Sequence, residues 1–576
     1  MTKNKIMETL FSEQQQEWLS GYFAGANTRL LDQADDQANS NMRPLTIMYG
    51  TQTGNSENLG DDITALAGEY GLSATVVDMA DIELEELTNI ERLFVICSTY
   101  GEGEMPDNAE ILWQEISETD DLDLTKMHFS VLALGDSSYD EYCEAGRQWD
   151  ERLAELGAKR IADRVDCDVD FDDDAEAWIK TALDAIKETG STPVVSENKA
   201  AKPTKEKSQY NRKNPFAAHL LTNKTITGAN SSKEIKHFEI GIKGSGLSYE
   251  AGDVLNIVPQ NDPDLVDELM AELALSADEF VGDENVREAL IKTYDIKVPT
   301  IPFLQEVAKQ SGDKELTRLL ENNDREALNS YLWGRDIIDF VIDLKPKFTA
   351  EAFIELLRKL QARAYSISSS SKKHDDEVHL TISSVRYESH GRKHEGVASC
   401  YLADRVVDDE KVLVYFSPNT TFRVPEDKDT PIIMVGPGTG IAPFRAFLEE
   451  REATDSKGDN WLFFGDRTEK EDFIYQDEIE AWQKSGLLTK LDLAFSRDQE
   501  QKIYVQTRMQ EKGAELFAWL ERGGYFFICG DATYMAKDVD KTLHDIISEH
   551  GKMDEAAAIA YVNDLKKAKR YVRDVY

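Results

Sequence analysis

The sequence predicts a multidomain α/β protein, and three observations carry that reading. Its 576 residues exceed what one hydrophobic core organises, which implies three or four domains. Short apolar runs alternate with helical patterns in two separate stretches, 43–188 and 426–576. Between them lie a polar stretch poor in aromatics and a mixed segment whose strands flank a helical run. Apolar strands separated by helices imply a parallel, doubly wound sheet buried on both faces.

Taken in order, residues 1–42 form a polar N-terminal arm with one amphipathic stretch, Trp18 to Gly25, suited to a homo-oligomer contact. Within 43–188 the runs 45–49, 74–77, 93–97 and 130–134 read as strands. Residues 189–210 have linker composition. About 20 residues of flexible chain span roughly 25 Å, enough for a tethered domain to move between two faces. Residues 211–425 begin with strands at 238–242 and 254–258, turn helical over about 262–361, and return to strands at 378–387 and 411–416. The last stretch, 426–576, opens on the strand 431–435.

Charge and cysteine usage exclude several classes. The net charge is −44, and 43–188 alone hold 36 acidic against 10 basic residues. Such a chain repels nucleic-acid phosphates and anionic membranes, so neither partner is expected. The acid serves either as a solvated surface or as a docking face for a basic partner. No apolar run approaches the ~18 residues of a membrane span. The first residues lack a signal core and a cleavage site, which predicts a cytoplasmic protein. Five scattered cysteines without a Cys-x-x-Cys pair argue against zinc and cysteine-ligated iron–sulfur centres, and no metal is expected. Asp166, Asp168, Asp170 and Asp172 are spaced like the start of a calcium loop. Phe171 and Ala177 stand where that loop needs Gly and Glu, so the reading fails.

Three loops follow successive strands of the first α/β stretch. Thr51, Gln52, Thr53, Gly54, Asn55 and Ser56 follow the first strand and open a helix. They offer backbone N–H groups, hydroxyls and a helix N-terminus to a phosphate monoester. No Gly-Lys-Ser/Thr follows, which excludes a nucleoside-triphosphate loop. Ser98, Thr99, Tyr100 and Gly101 begin the second loop. Leu134, Gly135, Asp136, Ser137, Ser138 and Tyr139 form the third, continuing into Asp140, Glu141, Tyr142 and Cys143. An aromatic beside glycines at a strand end suits a flat ring.

The second half carries a different set. Gly436, Pro437, Gly438, Thr439 and Gly440 follow the strand 431–435 and open a helix, as a dinucleotide pyrophosphate requires. Farther on come Ser496 and Arg497, then Lys502, Ile503, Tyr504, Val505 and Gln506. This hydroxyl, guanidinium, ammonium and aromatic suit a ribose 2′-phosphate and an adenine face, so NADPH is expected rather than NADH. Arg363, Ala364, Tyr365 and Ser366 form an Arg-x-Tyr-Ser box, and Gly396, Val397, Ala398 and Ser399 a second glycine turn.

On these motifs 43–188 resembles flavodoxin-type FMN domains, and the remainder resembles ferredoxin-reductase-type modules. Together they resemble the diflavin reductase family. The resemblance implies a flavodoxin-like doubly wound domain, a linker, an FAD-binding β-barrel with a helical connecting insert, and a Rossmann-like NADP-binding domain. It implies FMN phosphate on 51–56 and the isoalloxazine between Tyr100 and Tyr139, with Gly101, Leu134, Gly135, Asp136, Tyr142 and Cys143 completing the pocket. It places FAD on Arg363 to Ser366, on Thr381, Ile382, Ser383 and Tyr387, and on the Gly396 turn. It adds Asp538 to the nucleotide contacts, stacks Tyr576 on the flavin, and groups Ser366, Cys529 and Asp574 at the site of hydride transfer. Electrons are then expected to run from NADPH through FAD and FMN to a haem partner. Within the family the resemblance is to the branch serving sulfite reduction. The stretch Leu19 to Gly25, the closing Arg573-Asp574-Val575-Tyr576, and the lack of a membrane anchor or calmodulin-target helix point there. The implied partner is the sirohaem-carrying haemoprotein (beta) subunit. A general NADPH–haem-protein reductase and a flavin-binding module without turnover are the alternative readings.

Overall fold

The computed structural model describes residues 42–191 and 208–576, apart from 102, 138, 140, 322–324 and 408–409. The stretch Trp18 to Gly25 and most of the linker lie outside the described residues. The chain divides into two compact units, one built mostly from residues before the linker and one mostly from residues after it.

The first unit is a parallel sheet of β1 (Arg43–Gly50), β2 (Leu72–Asp78), β3 (Arg92–Ser98), β4 (His128–Leu134), β5 (Lys159–Arg160) and β6 (Val165–Cys167). Its order is β2-β1-β3-β4-β5, with β6 also paired to β4. Along β3 the side chains alternate between two cores. Val95 and Cys97 pack with Leu112, Ile116 and Trp149 on one face, and Phe94 and Ile96 with Ile63, Trp178 and Ile179 on the other. That is why the strand reads as an unbroken apolar run. Each fully buried side chain of this kind contributes about 1.5–3 kcal/mol. The order reverses direction between β1 and β3, the switch point where such sheets open a crevice for ligands.

The second unit begins with an antiparallel barrel. Its strands are β7 (Phe216–Thr225), β8 (Ile235–Gly241), β9 (Val254–Val258), β12 (Arg363–Ser366), β13 (Glu377–Ser383) and β16 (Lys411–Ser417), in the order β12-β9-β16-β7-β8-β13. Just past β12 the Ser368 N–H donates to the His379 carbonyl at 2.8 Å and Ile367 bridges Leu380, which closes the ring. Between β9 and β12 sit seven helices from Pro263 to Ile354 and the small hairpin β10 (Phe280–Val281) to β11 (Glu284–Asn285). They have their own core around Leu269, Phe303, Phe340 and Phe353. The strand expected over 378–387 is interrupted. Ser384 N–H still bonds Glu234 O in register with the β13–β8 ladder, but Val385 N–H bonds Ser399 Oγ, so the chain leaves the barrel after Ser384. It continues as the hairpin β14 (Arg386–Ser389) to β15 (Arg392–Glu395), turning on His390 and Gly391, both at positive φ.

The unit ends in a parallel sheet of β17 (Ile432–Val435), β18 (Asn460–Asp466), β19 (Lys490–Phe495), β20 (Tyr525–Gly530) and β21 (Tyr571–Val575), ordered β19-β18-β17-β20-β21. A buried polar seam joins it to the barrel. Arg445 donates to the Ser368 carbonyl (2.6 Å), pairs with Glu449 (3.1 Å) and Glu478 (2.8 Å), and lies 3.4 Å from His379 Nδ1. Tyr475 sets its hydroxyl 2.9 Å from His237 and 2.6 Å from Thr381. Among the described residues no helix is long and apolar enough to cross a membrane.

Candidate functional site

In the first unit the three loops follow β1, β3 and β4 at the carboxyl edge. Gly54, at φ +81°, turns the chain into the helix Asn55–Ala67, whose first N–H groups have no intrahelical partner. Ser56 Oγ is buried there with no hydrogen-bond partner among the described residues. An orphaned hydroxyl at a helix N-terminus, with Thr51, Gln52, Thr53 and Asn55 around the turn, is a donor set that fits a phosphate. Thr51 N–H donates to Asn108 Oδ1 at 2.8 Å, and Asn108 Nδ2 donates to Asp78 Oδ1 (2.8 Å) and Tyr49 O (3.2 Å). Asn108 thus staples the turn, and no motif in the sequence marked it.

The second loop folds back on itself, Tyr100 N–H to Glu104 O at 2.9 Å, with Gly101 and Gly103 at positive φ. Ser98 Oγ donates to Gly50 O (3.5 Å) and Thr99 Oγ1 accepts from Ala145 N–H (3.1 Å). In the third loop Leu134 is buried and Tyr139 is exposed. A Cβ on Gly135 would stand 2.9 Å from Cys143 N and 3.0 Å from its Sγ, so only glycine fits. Tyr142 OH donates to Asp166 O at 3.0 Å, and burial pushes the Cys143 thiol up to about 12. Asp136, Ser137 and Glu141 belong to the same loop. Ser138 and Asp140 lie outside the described residues.

In the barrel, Arg363 to Ser366 form β12, with Tyr365 partly buried against the core and its phenol pushed up to about 12 by that burial. Arg363 Nη1 donates to Gln361 O at 3.2 Å, and Ala364 is exposed. Gly396 leads into the helix Val397–Cys400, where Ala398 and Ser399 are buried. Thr381, Ile382 and Ser383 close β13; the Thr381 hydroxyl lies 2.6 Å from the Tyr475 hydroxyl, and Ile382 lies in the barrel core. Tyr387 presents a ring that is 45% exposed.

The dinucleotide loop is pressed on the neighbouring strand. A Cβ on Gly440 would stand 2.1 Å from the Cys529 carbonyl oxygen, and one on Gly436 would stand 2.4 Å from Gly440 O. Beside Gly438 lies Lys233, brought from the barrel and held by Asp466 at 2.6 Å. This cation is a residue that spacing could not reveal, because it comes from a different module. Ser496 N–H and Arg497 N–H bond Asp466 O and Arg467 O just past β19. Lys502 and Tyr504 are exposed, Ile503 partly so, and Val505 is buried. Gln506 Nε2 donates to Asp538 Oδ2 at 3.0 Å, which joins two residues singled out separately.

The two halves of the second unit meet at one carboxylate. β20 and β21 pair so that Cys529 stands opposite Asp574. Ser366 Oγ, from the barrel, donates to Asp574 Oδ2 at 2.6 Å, and Cys529 Sγ lies 3.7 Å from the same oxygen. Burial raises Asp574 above the usual carboxylate range, against the lowering pull of the Ser366 and Cys529 hydrogen bonds. Burial and the Asp574 charge push Cys529 well above its ordinary value, so its thiol stays protonated at neutral pH. Tyr576, next in line after β21, donates its N–H to Gly530 O (3.1 Å) and sets its hydroxyl 3.2 Å from Thr439 Oγ1. Tyr576 is 63% exposed. An exposed aromatic at the end of the strand that carries Asp574, with a serine and a thiol on that carboxyl, fits a flat ring system.

Comparison with known proteins agrees with this layout. Residues 47–178 match the flavodoxin family model, 208–401 an FAD binding domain, and 434–541 an oxidoreductase NAD-binding domain. The sulfite reductase (NADPH) flavoprotein alpha-component of Bacillus subtilis strain 168 is 44% identical, covering 100% of this chain and 97% of its own length. Those of Vibrio parahaemolyticus and Vibrio vulnificus are each 40% identical, covering 100% and 98% of this chain and 94% of their own lengths. The chain belongs to the family of sulfite reductase flavoprotein alpha-components, assembled from flavodoxin, FAD-binding and NAD-binding modules.

Proposed function

We propose that this chain is the NADPH-oxidising electron-transfer component of an assimilatory sulfite reductase, working in the cytoplasm with a haemoprotein beta subunit. The observation that carries the reading is the convergence of Ser366 and Cys529 on Asp574, two residues before the exposed Tyr576, where the barrel meets the nucleotide-binding sheet. FMN, FAD and NADPH supply the redox chemistry when bound: oxidation of the nicotinamide, passage of electrons through two flavins, and delivery to a haem.

The residues have separable tasks. The 51–56 turn with Ser56 holds the FMN phosphate, while Tyr100, Tyr139 and the Gly135 loop enclose its ring. Arg363 and the Gly396 turn take the FAD pyrophosphate, and Tyr365 and Tyr576 its isoalloxazine. FAD's other flat ring, the adenine, lies beyond the pyrophosphate. Tyr387 is its platform, since the β14–β15 hairpin ends one residue before Gly396. Gly436 to Gly440 and Lys233 bind the NADPH pyrophosphate, and Ser496, Arg497, Lys502, Tyr504 and Gln506 its adenosine 2′-phosphate end. Asp574 anchors Ser366 and Cys529 in one orientation, and the protonated thiol gives the reacting face a soft, uncharged wall. Tyr576 must leave its place before a nicotinamide can lie against the flavin. The excess acid of 43–188 supports docking on a basic face of the haemoprotein.

The test uses the purified full chain. Flavin extraction should yield both FMN and FAD, and NADPH should drive reduction of an artificial acceptor. Sulfide should form from sulfite only when a sirohaem subunit is added. Acceptor reduction without any sulfide formation alongside that subunit would retain the reductase and remove the sulfite assignment. Failure of both would leave a flavin-binding module.

A further inference from the structure

Underneath Tyr387 lies a second ring. His394, from the paired strand β15, stacks on it with centroids 4.9 Å apart and planes 6° from parallel. The Tyr387 face away from His394 belongs to a half-exposed ring, whereas His394 itself is buried. Cross-strand aromatic pairs are common, but free rings rotate and tilt, and near-parallel stacking needs something to hold it.

Here both nitrogens of His394 face oxygen acceptors. Nδ1 lies 3.0 Å from Asp336 Oδ2 and Nε2 lies 3.2 Å from Ser389 O. A hydrogen bond donated to one of these acceptors, with the other at the opposite edge of the ring, restricts rotation of the imidazole. Asp336 is itself fixed, because it caps the helix Ile337–Leu344 and pairs with Lys297 at 2.6 Å. The group of Asp336, Asp339 and His394 has the spacing of a metal site, yet Lys297 and Arg392 already occupy the cation positions beside its carboxylates. The network therefore serves the ring.

We propose that His394 is a positioning residue for FAD, a clamped underlay that keeps Tyr387 flat to receive the adenine. The proposal rests on the assignment of FAD to the barrel. It links the helical insert, which supplies Asp336, to flavin retention, a task that no motif in that insert announced.

The experiment is a double-mutant cycle on the full chain, reading the FAD dissociation constant by titration and FMN content as an internal control. Tyr387→Ala should weaken FAD. His394→Ala, which leaves Asp336 paired with Lys297, should weaken it roughly 3- to 10-fold, the scale of one aromatic stack. His394→Phe keeps a ring but loses its polar anchoring to Asp336 and Ser389, so it should fall between. Combined with Tyr387→Ala, the His394→Ala change should add nothing, because the platform it supports is gone. FMN content should not move. If His394→Ala leaves FAD affinity intact, or weakens it equally with Tyr387 absent, the underlay role is wrong. If Tyr387→Ala itself has no effect, the assignment of adenine to Tyr387 fails instead.

Discussion

Asp574 gathers two donors from distant parts of the chain onto one oxygen, and that oxygen decides how Ser366 and Cys529 point. Replacing it by Asn presents an N–H₂ where a hydroxyl and a thiol now donate. Hydrogen bonds to a charged acceptor are worth about 1.5–3 kcal/mol, so Asp574→Asn should slow flavin reduction by NADPH roughly 10- to 100-fold. Stopped-flow bleaching of the flavin, with FAD content checked by extraction, reads this directly. An unchanged rate would remove Asp574 from the reacting group. Tyr576 is a different case, since among the described residues its hydrogen bonds are those of its own backbone and one hydroxyl contact with Thr439. On the proposed reading it covers the place a nicotinamide needs, and displacing it would draw on binding energy that the NADPH 2′-phosphate contacts supply. Tyr576→Ala should therefore raise activity with NADH relative to NADPH. Identical ratios of kcat/KM for the two nucleotides in variant and parent would sink that account.

At the scale of elements, the turns were legible and their supports were not. Gly54, Gly135, Gly436 and Gly440 sit where strands end and a backbone must pass close to something, and that requirement is local, so it shows in the sequence. Gly440 is the tightest: a Cβ would stand 2.1 Å from Cys529 O, a main-chain atom that cannot step aside. Overpacking of this kind costs about 1–3 kcal/mol or more and must move the loop. Gly440→Ala should weaken binding of 2′,5′-ADP at least about tenfold by calorimetry while FMN content is unchanged. Retained affinity would mean that the loop is not the phosphate site. Asn108, Lys233 and His394 left no such mark, because each acts through a partner that only folding brings near. The split at Ser384 was hidden for the opposite reason. Apolar alternation runs on from β13 toward Tyr387, and only the Ser399 hydroxyl that accepts from Val385 N–H shows where the ladder ends.

Over the whole molecule the histidines are unevenly placed, and this sets an acid response. Residues 43–188 contain a single histidine, His128. The barrel-to-sheet seam buries His237 and His379, with His374 4.2 Å from His379, ring centre to ring centre. Facing them are Arg445 from one side, Glu239 and Glu377 from the barrel strands, and Glu449 and Glu478 from the sheet's helices. Burial, then the Arg445 charge, pushes His379 down to about 2, and the same causes lower His237. The sign follows from which state takes the proton. Below about pH 6.5 the unfolded chain protonates these rings while the folded seam does not. Their stabilisation is thus complete above that pH and is lost as pH falls, by up to about 1.4 kcal/mol per pH unit per histidine. Between pH 7.5 and 5.5 nearly all carboxylates remain ionised, so relief of the chain's acidic self-repulsion does not offset this. The second unit should melt progressively earlier across that range, read by FAD release, while FMN release from the first unit stays level. His379→Gln, which keeps a polar side chain in the seam but cannot titrate, should flatten the FAD curve. An FAD-release midpoint that does not change between pH 7.5 and 5.5 would show that the seam does not govern the unit's stability.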